Sequence, residues 1–312
     1  MSTEHQRIAR IRALFARSSP SISLGIGDDC AVLAASARAR VWTVDAAIEN
    51  VHFVRGPMRD EEIGFRALMA AASDIAAMGA DATGILCALA LPAAFRDDEL
   101  DDLLSGYAEA ADAIGCPVVG GNLTRAAELS ITTSVLGEVE QAVTRAGARP
   151  GDGVFVSGAL GGAALGLHAL RAGHAREGAY AECIQRFLRP RARLDLSARL
   201  ATCASAAIDI SDGLAQDLAH LCSASRVGVR LDVSALPRPA RFAELAGALG
   251  RDADELVLAG GEDYELLFTA ELGGVPPEVG VQIGTVTETS VVELVGGDGR
   301  PVPLPEGFDH FR

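Results

Sequence analysis

Strand-like and helix-like stretches alternate along the chain, and each can be told by how its apolar positions recur. "RVWTVDAAI" (40–48) reads as a strand. "DEEIGFRALMAAASDIAAMGA" (60–80) reads as a helix, with acids in its first turn, where the helix dipole favours them, and Gly79 near its end. "ATGILCALAL" (82–91) reads as a buried strand stopped by Pro92, too apolar to be left as an exposed sheet edge. "DDELDDLLSGYAEAADAIG" (97–115) is an amphipathic helix, followed by the short strand "CPVVGG" and by "ELSITTSVLGEV" (128–139).

The polar, Gly- and Pro-containing junction "TRAGARPGDG" (144–153) then interrupts the pattern, which restarts beyond it. Strand "VFVSG", helix "GGAALGLHALRAG" and a long helical stretch to about residue 204 precede strand "AAIDIS", helix "GLAQDLAHLCSAS" and further strands. This predicts an α/β protein of two α/β domains, divided as 1–146 and 147–312.

Composition narrows the functional classes. Half the 312 residues (49%) are hydrophobic and 22% charged, enough apolar material for a substantial core. The formal net charge of −15 speaks against a sequence-independent grip on nucleic acid or on an anionic membrane. Every basic residue apart from histidine is arginine, so a Walker-A lysine, a Schiff-base lysine and a lysine general base are all excluded. Six scattered cysteines without a C-x-x-C pair suit reduced core thiols. No stretch approaches the ~20 apolar residues of a membrane span, and a soluble cytoplasmic protein is expected.

The acids carry the chemistry. Asp28 and Asp29 sit side by side in "GIGDDCAVL", where two like charges are tolerable if the loop is solvated or holds a cation. Asp45 ends "WTVD", while Asp209 and Asp212 bracket a turn in "AIDISDGL", where Asp212 could simply cap the following helix. Asp74 is the one charge in "ALMAAASDIAAMGA", with no arginine three or four residues away. A lone buried carboxylate there needs an arginine from elsewhere in the fold or a cation. Hard oxygen ligands without a matching set of His or Cys favour Mg²⁺, which commonly arrives with a polyphosphate. "GIGDD", "VVGGNLTR" and "LAGGEDYELLF" read as glycine turns able to approach phosphate closely. "VFVSGALGGAALGL" invites a dinucleotide reading, but "GALGG" is not G-x-G-x-x-G and no acid-ended strand follows at the required distance.

With these residues assembled, the chain resembles the thiamine-monophosphate kinases, relatives of aminoimidazole ribonucleotide synthetase and selenophosphate synthetase. The likeness runs nearly end to end, through "GIGDDCAVL", "TVDAAIENVHF", "SDIAAMGAD", "GGNLTR", "TRAGARPGD", "AIDISDGLAQDLAH", "GGEDYELLFT" and "GFDHF". It implies ATP as co-substrate, thiamine monophosphate as phosphoryl acceptor and several Mg²⁺ ions. It also implies a homodimer formed through the N-terminal sheet, with a C-terminal α/β sandwich. Carried over by motif, Asp29, Asp74, Asp209 and Asp212 become the catalytic acids, and Asp28, Thr43, Asp45 and Asn122 join them as metal ligands. Thr43, Gly121, Asn122, Arg145 and Ser211 become contacts to ATP or the metal shell. His52, Glu262 and Phe308 become thiamine-phosphate contacts.

Two departures stand out. The family's G-G-D-T-T is "GGNLT" here, with Asn122 in place of a metal-binding aspartate, and Val44 replaces a hydroxyl residue. The alternatives are a related ATP-dependent synthetase on another small substrate, or a catalytically silent protein that binds thiamine phosphates or ATP.

Overall fold

The computed structural model describes residues 3–15, 19–26 and 30–305. The chain forms two compact units, Met1–Ile75 with Ala80–Gln141, and Ala76–Gly79 with Ala142–Arg312.

The first unit opens with helix α1 (Glu4–Leu14) and the short antiparallel strands β1 (Ile22–Leu24) and β2 (Val32–Leu33). Thr3 and Gln6 form a reciprocal capping box at the start of α1, and Arg7 ties that helix to Asp97 and to the Phe95 carbonyl. Then follow β3 (Ala39–Ile48), α2 (Asp60–Ala77), β4 (Asp81–Pro92), α3 (Asp97–Ala113), β5 (Val118–Ala126) and β6 (Ser130–Val139). These last four strands make a sheet ordered β3-β6-β4-β5, parallel between β4 and β5 and antiparallel elsewhere.

Helices α2 and α3 lie on one face of this sheet. Tyr107 of α3 hydrogen-bonds Thr133 of β6 at 3.0 Å, and Thr43 of β3 reaches Asp74 of α2. The two helices touch backbone to backbone: a Cβ on Gly106 would stand 1.7 Å from the Glu61 carbonyl oxygen. Ile85, Ile131, Leu68, Leu100 and Leu103 fill the space between helices and sheet. On the other face, among the described residues, Trp42 is 73%, Val44 65% and Leu86 39% exposed.

"GILCALAL" belongs to β4, which lies between β6 and β5, so it is not left as a sheet edge; the edges are β3 and β5. One expectation needs correcting here. "VVGGNLTR" is not a turn but the body of β5. Its glycines serve close approach, since a Cβ on Gly121 would meet the Cys87 carbonyl oxygen of β4 at 1.8 Å.

The second unit contains β7 (Gly153–Val156), α4 (Gly162–Arg171), α5 (Ala181–Leu188), α6 (Ser197–Cys203), β8 (Ala204–Asp209) and α7 (Leu214–Ser225). It continues with β9 (Gly228–Asp232), α8 (Phe242–Ala248), α9 (Ala253–Ala259), β10 (Leu266–Ala270), β11 (Val281–Thr287), β12 (Val292–Val295) and β13 (Pro301–Val302). Its seven-stranded sheet is ordered β13-β12-β9-β11-β7-β10-β8, with β9 and β12 the one parallel pair. Strands β7 and β10 are buried along their whole length, and Phe155 stacks on Phe268 with ring centres 5.4 Å apart. The long helix expected up to residue 204 is broken into α5, a single 3-10 turn and α6. Pro190 is the reason: it forces Arg189 out of the helical region, to φ −134° and ψ 68°.

None of the six cysteines forms a disulfide; Cys116, Cys183 and Cys222 are buried as expected, whereas Cys30 is exposed. Among the described residues no helix is long and apolar enough to cross a membrane.

Candidate active site

In the second unit the chemistry gathers where β8 hands over to α7. Asp209 is the last residue of β8 and is only 5% exposed. The residue that caps α7 is Gly213, with no side-chain cap, so Asp212 does not serve the helix. Its carboxylate instead accepts from Gln216 Nε2 at 3.0 Å. The turn itself is held by Asp217, 2% exposed, whose Oδ2 accepts the backbone N–H groups of both Ser211 and Asp212 at 3.1 Å. Burial, aided by the charges of Asp209 and Asp212, pushes the Asp217 carboxyl up to about 7. Three carboxylates are thus crowded together, close enough that the charges of Asp209 and Asp212 both act on Asp217.

The "GGEDYE" loop is stitched to this turn. Glu262 donates its N–H to the Ser211 carbonyl at 2.8 Å, Tyr264 donates to Ile210, and Ile210 donates to Glu265. Glu262 and Tyr264 adopt φ of 61° and 51°, left-handed conformations that cost non-glycine residues ~1 kcal/mol or more and cluster at functional sites. Asp263 points the other way and accepts from Gly161 N–H at 2.6 Å and Ala163 N–H at 3.1 Å. The amides at the start of α4, which a dinucleotide would need, are occupied by the chain's own carboxylate. Burial pushes Asp263 up to about 7. Glu265 accepts from Ser157 Oγ at 2.5 Å and pairs with Arg193 at 2.6 Å, which anchors the base of the loop.

In the first unit Thr43 Oγ1 donates to Asp74 Oδ2 at 2.5 Å. Asp74 is half-buried, not enclosed, which corrects the expectation of a lone carboxylate in an apolar interior. Asp45 lies two residues along β3 from Thr43, so both side chains share the helix-facing side of the strand; it is exposed and accepts its neighbour Ala46's N–H. His52 Nδ1 accepts the Ile48 N–H at 3.1 Å, which leaves Nε2 as the protonated nitrogen of the neutral ring. Asn122 is exposed on edge strand β5, next to Gly121. Arg145 belongs to the second unit, exposed, its carbonyl accepting from Ser225 Oγ at 2.8 Å. Asp28, Asp29 and Phe308 lie outside the described residues.

Two groups are therefore assembled within their own units: Asp209, Ser211, Asp212 and Glu262 in one, Thr43, Asp45 and Asp74 in the other. Among the described residues no three His, Cys, Asp or Glu side chains form a ready-made metal cage. That is compatible with Mg²⁺, which usually takes one or two carboxylates and completes its shell with water and phosphate.

Residues 27–139 match the family described as AIR synthase related protein, N-terminal domain, and residues 149–296 match its C-terminal domain. The thiamine-monophosphate kinase of Aquifex aeolicus is 35% identical over 288 residues, 92% of either chain. The crystal structure of the thiamine-monophosphate kinase from Stenotrophomonas maltophilia superposes with a TM-score of 0.84 at 34% identity, over 96% of this chain and 98% of that one. The chain belongs to the thiamine-monophosphate kinase family. AaThiL complexed with AMPPCP and TMP is a further neighbour, with a TM-score of 0.82 at 33% identity and 98% of both chains covered.

Within this thiamine-monophosphate kinase fold, sequence reasoning missed Gln216, Asp217 and Asp263. An acid in the first turn of a helix ordinarily signals only a dipole contact, and nothing in "GLAQDLAHL" marks Asp217 as buried beyond its place among the leucines. Asp263 was hidden inside a motif read as a turn. Its partners lie about 100 residues away in the chain, at Gly161 and Ala163.

Proposed function

We propose that this chain transfers the γ-phosphoryl group of ATP to thiamine monophosphate, giving thiamine diphosphate, with Mg²⁺ as cofactor. The observation that carries the reading is the β8–α7 turn, where crowded carboxylates are tied through Ser211 to the backbone of Glu262. Such crowding is stable once a hard cation joins it, and the all-oxygen donor set suits Mg²⁺. AaThiL, complexed with AMPPCP and TMP, supports the nucleotide and the substrate class.

Asp209 and Asp212 in the second unit, and Thr43, Asp45 and Asp74 in the first, are the residues that would hold Mg²⁺, joined by Asp28, Asp29 and Asn122. When bound, Mg²⁺ neutralises the converging phosphates and orients their oxygens. Gly121, Asn122, Arg145 and Ser211 hold ATP. His52 offers its Nε2–H to the acceptor phosphate, while Glu262 and Phe308 set a carboxylate and an aromatic face against the cationic thiazolium. The acceptor oxygen needs no general base, because a phosphate monoester loses its second proton near pH ~6. The site's contribution is positioning and charge.

We read the protein as a cytoplasmic homodimer. The sheet face on which Trp42, Val44 and Leu86 are exposed supports association, and unpaired thiols suit a reducing compartment. A monomer by light scattering at micromolar concentration would remove the dimer.

ADP release measured side by side with thiamine monophosphate, free thiamine and aminoimidazole precursors tests the function. Turnover with thiamine monophosphate alone is expected. Comparable turnover on thiamine contradicts the proposal, because an alcohol needs a base that this reading does not supply. Turnover on an aminoimidazole precursor selects the synthetase, and binding of thiamine monophosphate without ADP formation selects the silent binder.

A further inference from the structure

We infer that Gln216 and Asp217, consecutive residues in the first turn of α7, form a clamp that sets the metal-binding turn without touching the metal. Asp217 grips the backbone, through the N–H groups of Ser211 and Asp212. Gln216 grips the side chain, its amide donating to one oxygen of the Asp212 carboxylate and leaving the other for a ligand. The clamp is continuous with the substrate side of the site. The Ser211 residue held at its N–H by Asp217 is held at its carbonyl by Glu262 N–H. Asp217 therefore positions both Asp212 and Glu262, whereas Gln216 positions Asp212 alone.

Chemistry distinguishes a backbone grip from a metal ligand. Both N–H bonds end on the same Asp217 oxygen, so an asparagine whose carbonyl takes that place keeps both and lacks only the charge. A metal ligand would miss the charge; a positioning residue would not. An alanine leaves two buried N–H groups without an acceptor and frees the turn.

The inference rests on the Mg²⁺ reading of Asp212, and the test separates the two. Mg²⁺ is titrated by calorimetry into the full-length protein holding AMPPCP, for wild type, Asp217→Asn, Asp217→Ala and Gln216→Ala. KM for thiamine monophosphate and melts without Mg²⁺ are measured alongside. Asp217→Asn is expected to bind Mg²⁺ within about threefold of wild type and to melt no lower, since it sheds a buried charge. Asp217→Ala is expected to weaken Mg²⁺ about 10- to 100-fold and to raise KM as well. Gln216→Ala is expected to weaken Mg²⁺ about fivefold with KM unchanged. Asp217→Asn as weak as Asp217→Ala overturns the inference, because the charge and not the grip then matters. Gln216→Ala indistinguishable from wild type also overturns it, and that result can be read even if Asp217→Ala fails to fold. Wild type that takes up no Mg²⁺ overturns the metal reading, and the inference with it.

Discussion

In the second unit Asp212 rides on a turn whose two N–H groups, carbonyl and carboxylate are each engaged by a neighbour, over a buried acid. In the first unit Asp45 stands exposed on a strand and accepts only its own neighbour's N–H among the bonds seen to it, while Asp74 is half-buried beside Thr43. Both regions offer carboxylates to the same proposed chemistry. The difference shows two ways of holding charge: one crowds acids and restrains them through the backbone, the other spreads them over a strand and a helix, with Asp45 open to water and Asp74 only half-buried. Crowding carries a desolvation cost in the metal-free protein; the exposed Asp45 carries almost none and the half-buried Asp74 less than the buried turn. Substitutions should therefore couple stability to activity in the second unit and separate them in the first.

The largest effect should come from Asp212→Asn. Turnover is expected to fall about 10³-fold, as when one electrostatic stabiliser is removed from a transition state, with a melting temperature in the absence of Mg²⁺ at or above wild type. A lower melting temperature would mean that the three acids are not in conflict and would erase the contrast between the units.

Asp74→Asn should lose turnover by at least about 10²-fold, yet change metal-free stability by less than about 1 kcal/mol, because an amide oxygen can still accept from Thr43. A loss of ~3 kcal/mol or more in melts without Mg²⁺ would instead reveal a broken buried ion pair.

Asp263 sharpens the comparison away from the metal. Its carboxyl is raised in the fold to about 7 from a reference of 3.8, so the native state binds a proton that the unfolded chain releases. Stability from this group is therefore present at low pH and is lost as pH rises from about 4 towards about 7. Asp263→Asn should flatten that part of the pH–stability curve by ~4 kcal/mol relative to wild type. Parallel curves for the two proteins would show that Asp263 is ionised in the fold.

Asn122 should give the smallest effect. It is exposed on edge strand β5, and Asn122→Asp should lower the Mg²⁺ needed for half-maximal activity about tenfold, if a carboxylate contact is worth ~1.4 kcal/mol. Superimposable Mg²⁺ titrations would remove Asn122 from the metal site. An inactive wild type revived by the substitution would favour the silent binder.

Much of this was legible in the chain itself, and the failures share a cause. Strand β3 and helices α2 and α3 follow from local periodicity, and Asp209 and Asp212 were placed at a strand end and before a helix because both features are local. "VVGGNLTR" was misjudged because its glycines answer to a neighbouring strand, at Cys87, which no local pattern encodes. The same holds for Asp217, whose importance lies in burial against Asp209 and Asp212, and for Asp263, whose partners are distant in sequence. Asp74 was judged too buried because a run of small residues says how closely neighbours pack, not whether the packing closes over the side chain. The break before α6 is readable in principle, since Pro190 stands inside the stretch whose pattern predicts a helix.

The central claim is that a phosphoryl group passes from ATP to a phosphate already ionised. Its most direct test follows ATP labelled in the γ-phosphate, incubated with thiamine monophosphate, Mg²⁺ and the protein. The account expects the label in thiamine diphosphate, one equivalent for each ADP formed, and none of either without Mg²⁺. Label released as inorganic phosphate with no thiamine diphosphate formed would contradict it.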